Sequence, residues 1–226
     1  MKLKKKESMM SVCIMIPIKT NNERLPGKNT YPLKDKPLFA YLFSTLKKVK
    51  RVDAIYVDSS DEKILKIAEE WGFSTLKRPA KFNDDHIAGD DLLMRVMGDL
   101  KHNIVGLLHV TSPFLKAETI EAAVDEISND SSIDSLFGVA PRYNRFWFKD
   151  KPVNHDVKKL VRTQDLIPVF EEADFYFVRR KAFLKHKKRV CGKMKPFAIS
   201  DVESTDIDTL IDIINGEALI DAGLVD

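Results

Sequence analysis

Two cysteines are too few for a disulfide framework, and one of them, Cys13, falls inside an apolar run where it reads as a small core residue. No apolar stretch approaches the ~20 residues needed to cross a bilayer, so no membrane partner is expected. The basic start followed by Met9–Ile18 has the order of a secretory signal, but no small-residue cleavage site follows it. The run leads instead into a cationic loop, so a first core strand and a reducing, cytoplasmic setting are the expectation. The charges nearly cancel, 37 Lys and Arg against 34 Asp and Glu, and part of the excess sits in Lys2, Lys4, Lys5 and Lys6. Without a coherent cationic face, nucleic acid is not an expected partner. Repeats and low-complexity segments are missing, as are the P-loop and dinucleotide fingerprints. What is present is 226 residues, 44% hydrophobic and 31% charged, enough for one domain with a sizeable core. Residues 1–10 are expected to be a disordered basic tail and 11–226 the folded domain.

Short apolar runs alternate with helical spacing. Val12–Ile18 reads as a first strand, 37–50 as a helix through Leu38, Leu42, Leu46 and Val49, and Ala54–Val57 as a second strand. Asp61 suits the cap of a helix carrying Ile64, Ala68 and Trp71. Ser74–Leu76, a helix around Leu92–Leu100, a strand at Ile104–Val110, a helix around Ile120–Ile127 and a strand at Leu136–Val139 follow. This alternation predicts an α/β fold, doubly wound around a mostly parallel sheet covered on both faces. Residues 141–172 break the rhythm with Arg, Lys, Pro and the aromatics Phe146, Trp147 and Phe148, and read as an inserted arm. Phe175–Val178 returns as a core strand, and 206–219 closes the chain as a helix.

The loop Lys19–Asn29 holds the chemistry most worth following. It follows the first strand, carries Lys19, Arg24 and Lys28, and has Pro26 and Gly27 to shape its backbone. A glycine-containing loop in that place is where α/β proteins cradle phosphates, although a solvated basic loop has the same spacing. Ser204-Thr205-Asp206-Ile207-Asp208-Thr209 offers two carboxylates that converge on one cation if they sit at a strand-to-helix junction. The same residues suit helix capping by Ser204 or Asp206. His109, with Thr111 and Ser112, ends the central strand, where α/β sheets bind ligands; it is a candidate to hydrogen-bond substrate or to act as a base, or is a structural hydrogen-bonder. Arg78 and the Asn83-Asp84-Asp85 loop offer groups to a base or ribose, or turn chemistry alone. Arg162 suits bidentate capture of a carboxylate, or is a surface charge of the arm.

Taken in order, these segments resemble the acylneuraminate cytidylyltransferase family, the CMP-sialic acid synthetases, over about residues 12–220. Leu25-Pro26-Gly27-Lys28-Asn29 is similar to the family's nucleotide-binding loop and Asp206-Ile207-Asp208-Thr209 to its metal motif. Arg78-Pro79-Ala80 with Asp85 is similar to its cytosine and ribose segment, Thr111-Ser112-Pro113 to the motif after its central strand, and Arg162 with Gln164 to its sugar segment.

The resemblance implies a Rossmann-like fold of the nucleotidyltransferase type with a dimerisation arm, and hence a homodimer. It implies CMP transfer from CTP to the anomeric hydroxyl of a nine-carbon 2-keto sugar acid, with release of pyrophosphate. Lys19, Arg24, Lys28, Asn29, Arg78 and Asp85 would bind nucleotide, and His109, Arg162 and Gln164 the sugar. Asp206 and Asp208 would hold Mg²⁺ and act with Lys28 in catalysis. This chain departs from the family pattern at Lys19, where Arg is usual, at Glu23, at His109, where Gln is usual, and at Ala173-Asp174, where Asn-Gly is usual. Asn29 stands where the related CMP-Kdo synthetases usually carry Pro, which favours the sialic-type branch. A Kdo-type or other 2-keto sugar acid acceptor, and a non-catalytic nucleotide-binding protein, remain the alternatives.

Overall fold

In the computed structural model the described residues are 10–19, 22–84 and 86–225. Of the tail expected at 1–10, residues 1–9 lie outside the described residues, as does Asp85.

The first strand, β1 (Val12–Pro17), is buried over its first five residues. Val12, Ile14 and Ile16 belong to one core, Cys13 and Met15 to the other, which is why the segment reads as a continuous apolar run. A short hairpin, β2 (Pro32–Leu33) with β3 (Lys36–Pro37), leads into α1 (Leu38–Leu46). That helix ends four residues before the expected boundary; Val49 still packs against the core, from a turn rather than a helix. Next come β4 (Ala54–Ser59), α2 (Glu62–Glu70) and β5 (Ser74–Lys77). The Asp61 carboxylate caps α2 by accepting from the Lys63 amide at 2.8 Å. Then α3 (Gly89–Val96), β6 (Ile104–Leu108) and α4 (Ala117–Asn129) follow.

The strand β7 (Ser135–Arg142) runs out into the segment expected to be an arm, which carries the small hairpin β8 (Trp147–Phe148) and β9 (Lys151–Pro152). The return strand, β10 (Val169–Arg179), is eleven residues long. The chain closes with α5 (Arg180–His186), β11 (Met194–Ala198) and α6 (Leu210–Asp221).

The seven-stranded sheet has the order β11-β7-β10-β6-β1-β4-β5. All neighbours pair in parallel except β10, which is antiparallel to both β6 and β7. On one face β1 packs with α1, α2 and α4 through Phe43, Leu46, Ile64, Ile120 and Val124. On the other it packs with α3 and α5 through Leu93, Val96 and Phe183. Gly106 is required in β6: a Cβ there would lie 2.6 Å from the Phe177 ring on β10 and 3.1 Å from Ile14.

The chain moves from β1 outward through β4 and β5, then crosses back to β6 on the other side of β1. The strand order therefore reverses between β1 and β6. Ligand crevices of open α/β sheets form at such a switch point, beyond the carboxyl ends of the strands. A third, smaller core lies beneath it, joining Leu25, Leu33, Tyr41 and Phe114 to Ile207 and Ile213. It fastens the loop after β1 to the segment that enters α6.

Candidate active site

The cleft at the switch point is lined from the loop after β1 by Pro17, Lys19, Asn22, Arg24, Lys28 and Asn29. The β5–α3 region supplies Arg78, Phe82, Asp84, Ile87, Gly89 and Leu92. The end of β6 supplies His109, Val110 and Thr111, and Asp174, Asp206 and Asp208 complete the lining.

The loop after β1 is shaped from within. Leu25 is buried in the third core and anchors it. Gly27 sits at φ 70°, a left-handed conformation that favours glycine, and opens a single 3-10 turn over Lys28–Thr30. Lys28 and Asn29 are buried, and the Asn29 amide donates to the Lys19 carbonyl at 2.5 Å, which ties the two ends of the loop together. Asn22 was not singled out in the sequence. It lines the same cleft, and its Oδ1 is buried with no hydrogen-bond partner among the described residues. Its position inside the cationic loop was the available signal.

The two late aspartates reach the cleft because α6 starts later than the spacing predicts. Thr209 is its N-cap, and Asp212 accepts from the Thr209 amide at 2.8 Å and hydroxyl at 2.7 Å. Capping by Ser204 or Asp206 is thus not the arrangement adopted; the Ser204 hydroxyl donates instead to the Asp201 carbonyl at 3.0 Å. The Ile207 amide donates to the Thr111 carbonyl at 2.8 Å, fastening the segment between the aspartates to the end of β6.

Asp208 is held between two cations, 2.5 Å from the Lys28 Nζ and 2.6 Å from an Arg24 terminal nitrogen. The Asp206 carboxyl is pushed up to about 6 by burial, then by the negative charges of Asp174 and Asp208, against a Thr111 hydrogen bond and Lys28. Raised by burial first and then by two flanking carboxylates, Asp206 would be favoured by a further positive charge beyond Lys28. Among the described residues no group of three or more His, Cys, Asp or Glu gathers as a metal cage. Two carboxylates facing a cationic loop nevertheless suit Mg²⁺, which keeps several waters and needs only one or two carboxylates from the protein.

Arg78 meets the cleft from a different kind of setting. Its side chain is 1% exposed and pairs through Nε with the fully buried Asp58 at 2.8 Å. An Arg78 terminal nitrogen also donates to the Asp58 carbonyl at 2.8 Å, and Arg95 takes the other Asp58 oxygen. Burial pulls the Arg78 guanidinium down, against the pull of Asp58. Arg78 is therefore first a strut between β4 and β5, and only its remaining guanidinium edge is left for a ligand. Asp58, the partner that explains it, was not visible as a site residue in the sequence.

His109 lies in the cleft wall, its Nδ1 3.1 Å from an Asp174 carboxylate oxygen. Arg162 and Gln164 are not brought into this cleft by their own chain. Both are exposed in the segment between β9 and β10, and the Arg162 Nε is 2.8 Å from Asp165, a local pair three residues apart. Among the described residues no helix is long and apolar enough to cross a membrane.

The sheet order, the crevice and the cationic loop define a Rossmann-like fold of the nucleotidyltransferase type. The cytidylyltransferase family model matches residues 13–212, and the chain belongs to that family: it is a cytidylyltransferase. It is 29% identical over 227 residues to CMP-N,N'-diacetyllegionaminic acid synthase of Legionella pneumophila, covering 94% of this chain and 97% of that protein. It is 24% identical over 224 residues to the pseudaminic acid cytidylyltransferase of Campylobacter jejuni, covering 91% and 94%. In fold it is similar to a CMP:2-keto-3-deoxy-manno-octonic acid synthetase solved with CTP, with a TM-score of 0.71 and 15% identity, covering 94% of this chain and 99% of that one.

Proposed function

We propose that this enzyme transfers CMP from CTP to a nonulosonic acid, a nine-carbon 2-keto sugar acid of the sialic, legionaminic or pseudaminic type, releasing pyrophosphate. The observation that carries the reading is the shared cleft. Lys19, Arg24 and Lys28 from the loop after β1, Asp206 and Asp208 from the segment before α6, and His109 from the end of β6 line one cavity. In sequence, the legionaminic and pseudaminic relatives align over nearly all of both chains, and it is this, not the fold shared with the Kdo synthetase, that supports a nine-carbon acid in our reading.

In this reading the cations of the loop hold the triphosphate, and Asn22 and Asn29 border it. Asp208 releases Arg24 and Lys28 to the phosphates as nucleotide enters, since a carboxylate and a phosphate compete for the same ammonium and guanidinium. Arg78, Phe82 and Asp84 face the base and ribose. The anomeric hydroxyl of the sugar attacks the α-phosphorus in line with the leaving pyrophosphate, whose growing charge falls on Lys28 and Arg24. Asp206 and Asp208 would hold Mg²⁺, which when bound supplies charge neutralisation at the phosphates and acidifies the attacking hydroxyl.

Arg162 and Gln164 serve the sugar only if a second chain brings its arm to the cleft, and the proposed homodimer does this. The arm has surface to bury against a partner: Phe148 is 69% exposed and Ile167 81%.

A pyrophosphate-release assay with CTP, Mg²⁺ and a panel of N-acetylneuraminic, diacetyllegionaminic, pseudaminic and Kdo acids tests the reading. Release with a nine-carbon acid is expected. Release with Kdo alone refutes the acceptor class.

A further inference from the structure

His109 and Asp174 stand opposite each other because of how β10 meets β6. Phe175 is the antiparallel partner of Leu108, so the residue before it on β10 faces the residue after it on β6. On its other side β10 loses register with β7 between Glu172 and Tyr176, leaving Asp174 out of that ladder at the mouth of the cleft.

The Asp174 carboxylate is itself held. The Tyr176 hydroxyl lies 3.2 Å from its Oδ1 and 2.9 Å from the Glu172 carboxylate. The Arg189 guanidinium stacks 4.4 Å from the centre of the Tyr176 ring, and the Arg189 amide donates at 2.9 Å to Asp90 in the first turn of α3. Burial raises the Asp174 carboxyl, but hydrogen bonds from His109 and Tyr176 and the positive charge of Arg189 pull it down, below the ordinary carboxylate range. Asp174 is therefore an ionised acceptor fixed from behind.

We propose that Asp174 is a positioning residue that selects the acceptor: it takes the proton-bearing Nδ1 of His109, so that Nε2 meets the sugar as a bare hydrogen-bond acceptor. A neutral imidazole has one donor and one acceptor nitrogen, and the partner of the first decides the second. A glutamine at this place presents both an N–H and a carbonyl; the His109–Asp174 pair presents an acceptor alone. The group that it selects on the sugar is thus a donor, a hydroxyl or the N–H of an acylamino substituent, and a substituent that only accepts is refused. The inference rests on the sugar-acid reading above, but its first test does not.

That test is the imidazole ¹⁵N spectrum of the full-length protein at pH 8, with the His109 signals assigned by their loss in His109→Gln. The expected result is His109 protonated at Nδ1. Protonation at Nε2 overturns the proposal whatever the enzyme accepts. The second test is kinetic, using the panel acid that the wild type turns over. Asp174→Ala lowers kcat/KM for that acid by about 10–100-fold, taking as a guide the loss seen when a carboxylate that orients a metal-bound histidine is removed, with KM for CTP changed less than about twofold. Asp174→Asn, whose amide oxygen still accepts from Nδ1, recovers most of the loss. In a His109→Ala background, adding Asp174→Ala costs nothing further. Equal damage to the CTP and sugar parameters, or a loss that multiplies in the double variant, assigns Asp174 a purely structural role and overturns the proposal. If Asp174→Ala does not fold, the spectrum of the wild type and the Asn variant still decide.

Discussion

Replacing Arg78 with Met separates what holds the cleft from what binds in it. The Arg78 and Asp58 side chains are 1% and 0% exposed, so removing the guanidinium leaves a carboxylate in the interior with one cation, Arg95, where it had two. Breaking a buried pair costs about 3–5 kcal/mol, mostly the penalty of the charge left behind. Arg95 still contacts the second Asp58 oxygen, which places the cost near the lower end, about 3 kcal/mol. For a chain of this size that is a fall of about 6–12 °C in the melting midpoint. The assay is a thermal melt followed by circular dichroism, without nucleotide. Arg78→Met with Asp58→Asn removes the stranded charge and is expected to regain at least half of the loss. A single variant that melts within about 2 °C of the wild type refutes the strut, and leaves Arg78 as a binding residue alone. If the single and double variants fall equally, packing rather than charge is what the guanidinium supplies.

Asp206→Asn is expected to stabilise the metal-free protein at pH 8. The native carboxyl titrates near 6 against 3.8 for the free group, so the native state binds the proton more tightly, and this group's contribution falls as pH rises from about 4 to 6. Taken whole, that shift would cost about 3 kcal/mol; although the cleft walls crowd its carboxyl, Asp206 keeps an exposed side toward solvent, and screening there brings the cost to about 1 kcal/mol, or about 2–4 °C, closing toward pH 4. A melt in which the variant is less stable at pH 8, or in which the gap widens in acid, contradicts the assignment of the strain to that carboxylate. Asp208→Asn should lower turnover by about 10²–10³ while the protein folds normally; near-full activity with CTP and Mg²⁺ would remove Asp208 from the site. Light scattering at micromolar concentration should report a dimer, and a monomer would leave Arg162 and Gln164 without a route to the sugar.

The alternation of strands and helices was legible because both faces of the sheet are covered, so each central strand is a plain apolar run. The direction of β10 was not, since Phe175–Val178 has the same pattern whichever way it runs. The edge strand β11 and the short α5 escaped notice for a related reason. Met194–Ala198 is mostly exposed and contains Pro196, and Arg180–His186 offers only two buried residues, Ala182 and Phe183. In the site, the cationic loop and the Asp206–Asp208 pair were visible because each is local in sequence. Asp58 with Arg78 and Asp174 with His109 were not, because those contacts span 20 and 65 positions and depend on register. Departures from the family pattern had flagged His109 and the Ala173-Asp174 pair separately, but only the antiparallel pairing of β10 with β6 shows that they touch.

The strands flanking the exposed segment 143–168 are sheet neighbours, antiparallel to one another. From the standpoint of the sheet, everything between them is the tip of one hairpin, however long. Closing such a loop grows costlier only slowly, by about 0.6 kcal/mol for each doubling of its length. Insertions, deletions and wholesale exchange of this segment therefore leave the topology and the cleft floor intact. Quaternary contacts and acceptor range can drift there through small genetic steps, while the catalytic core stays under separate constraint.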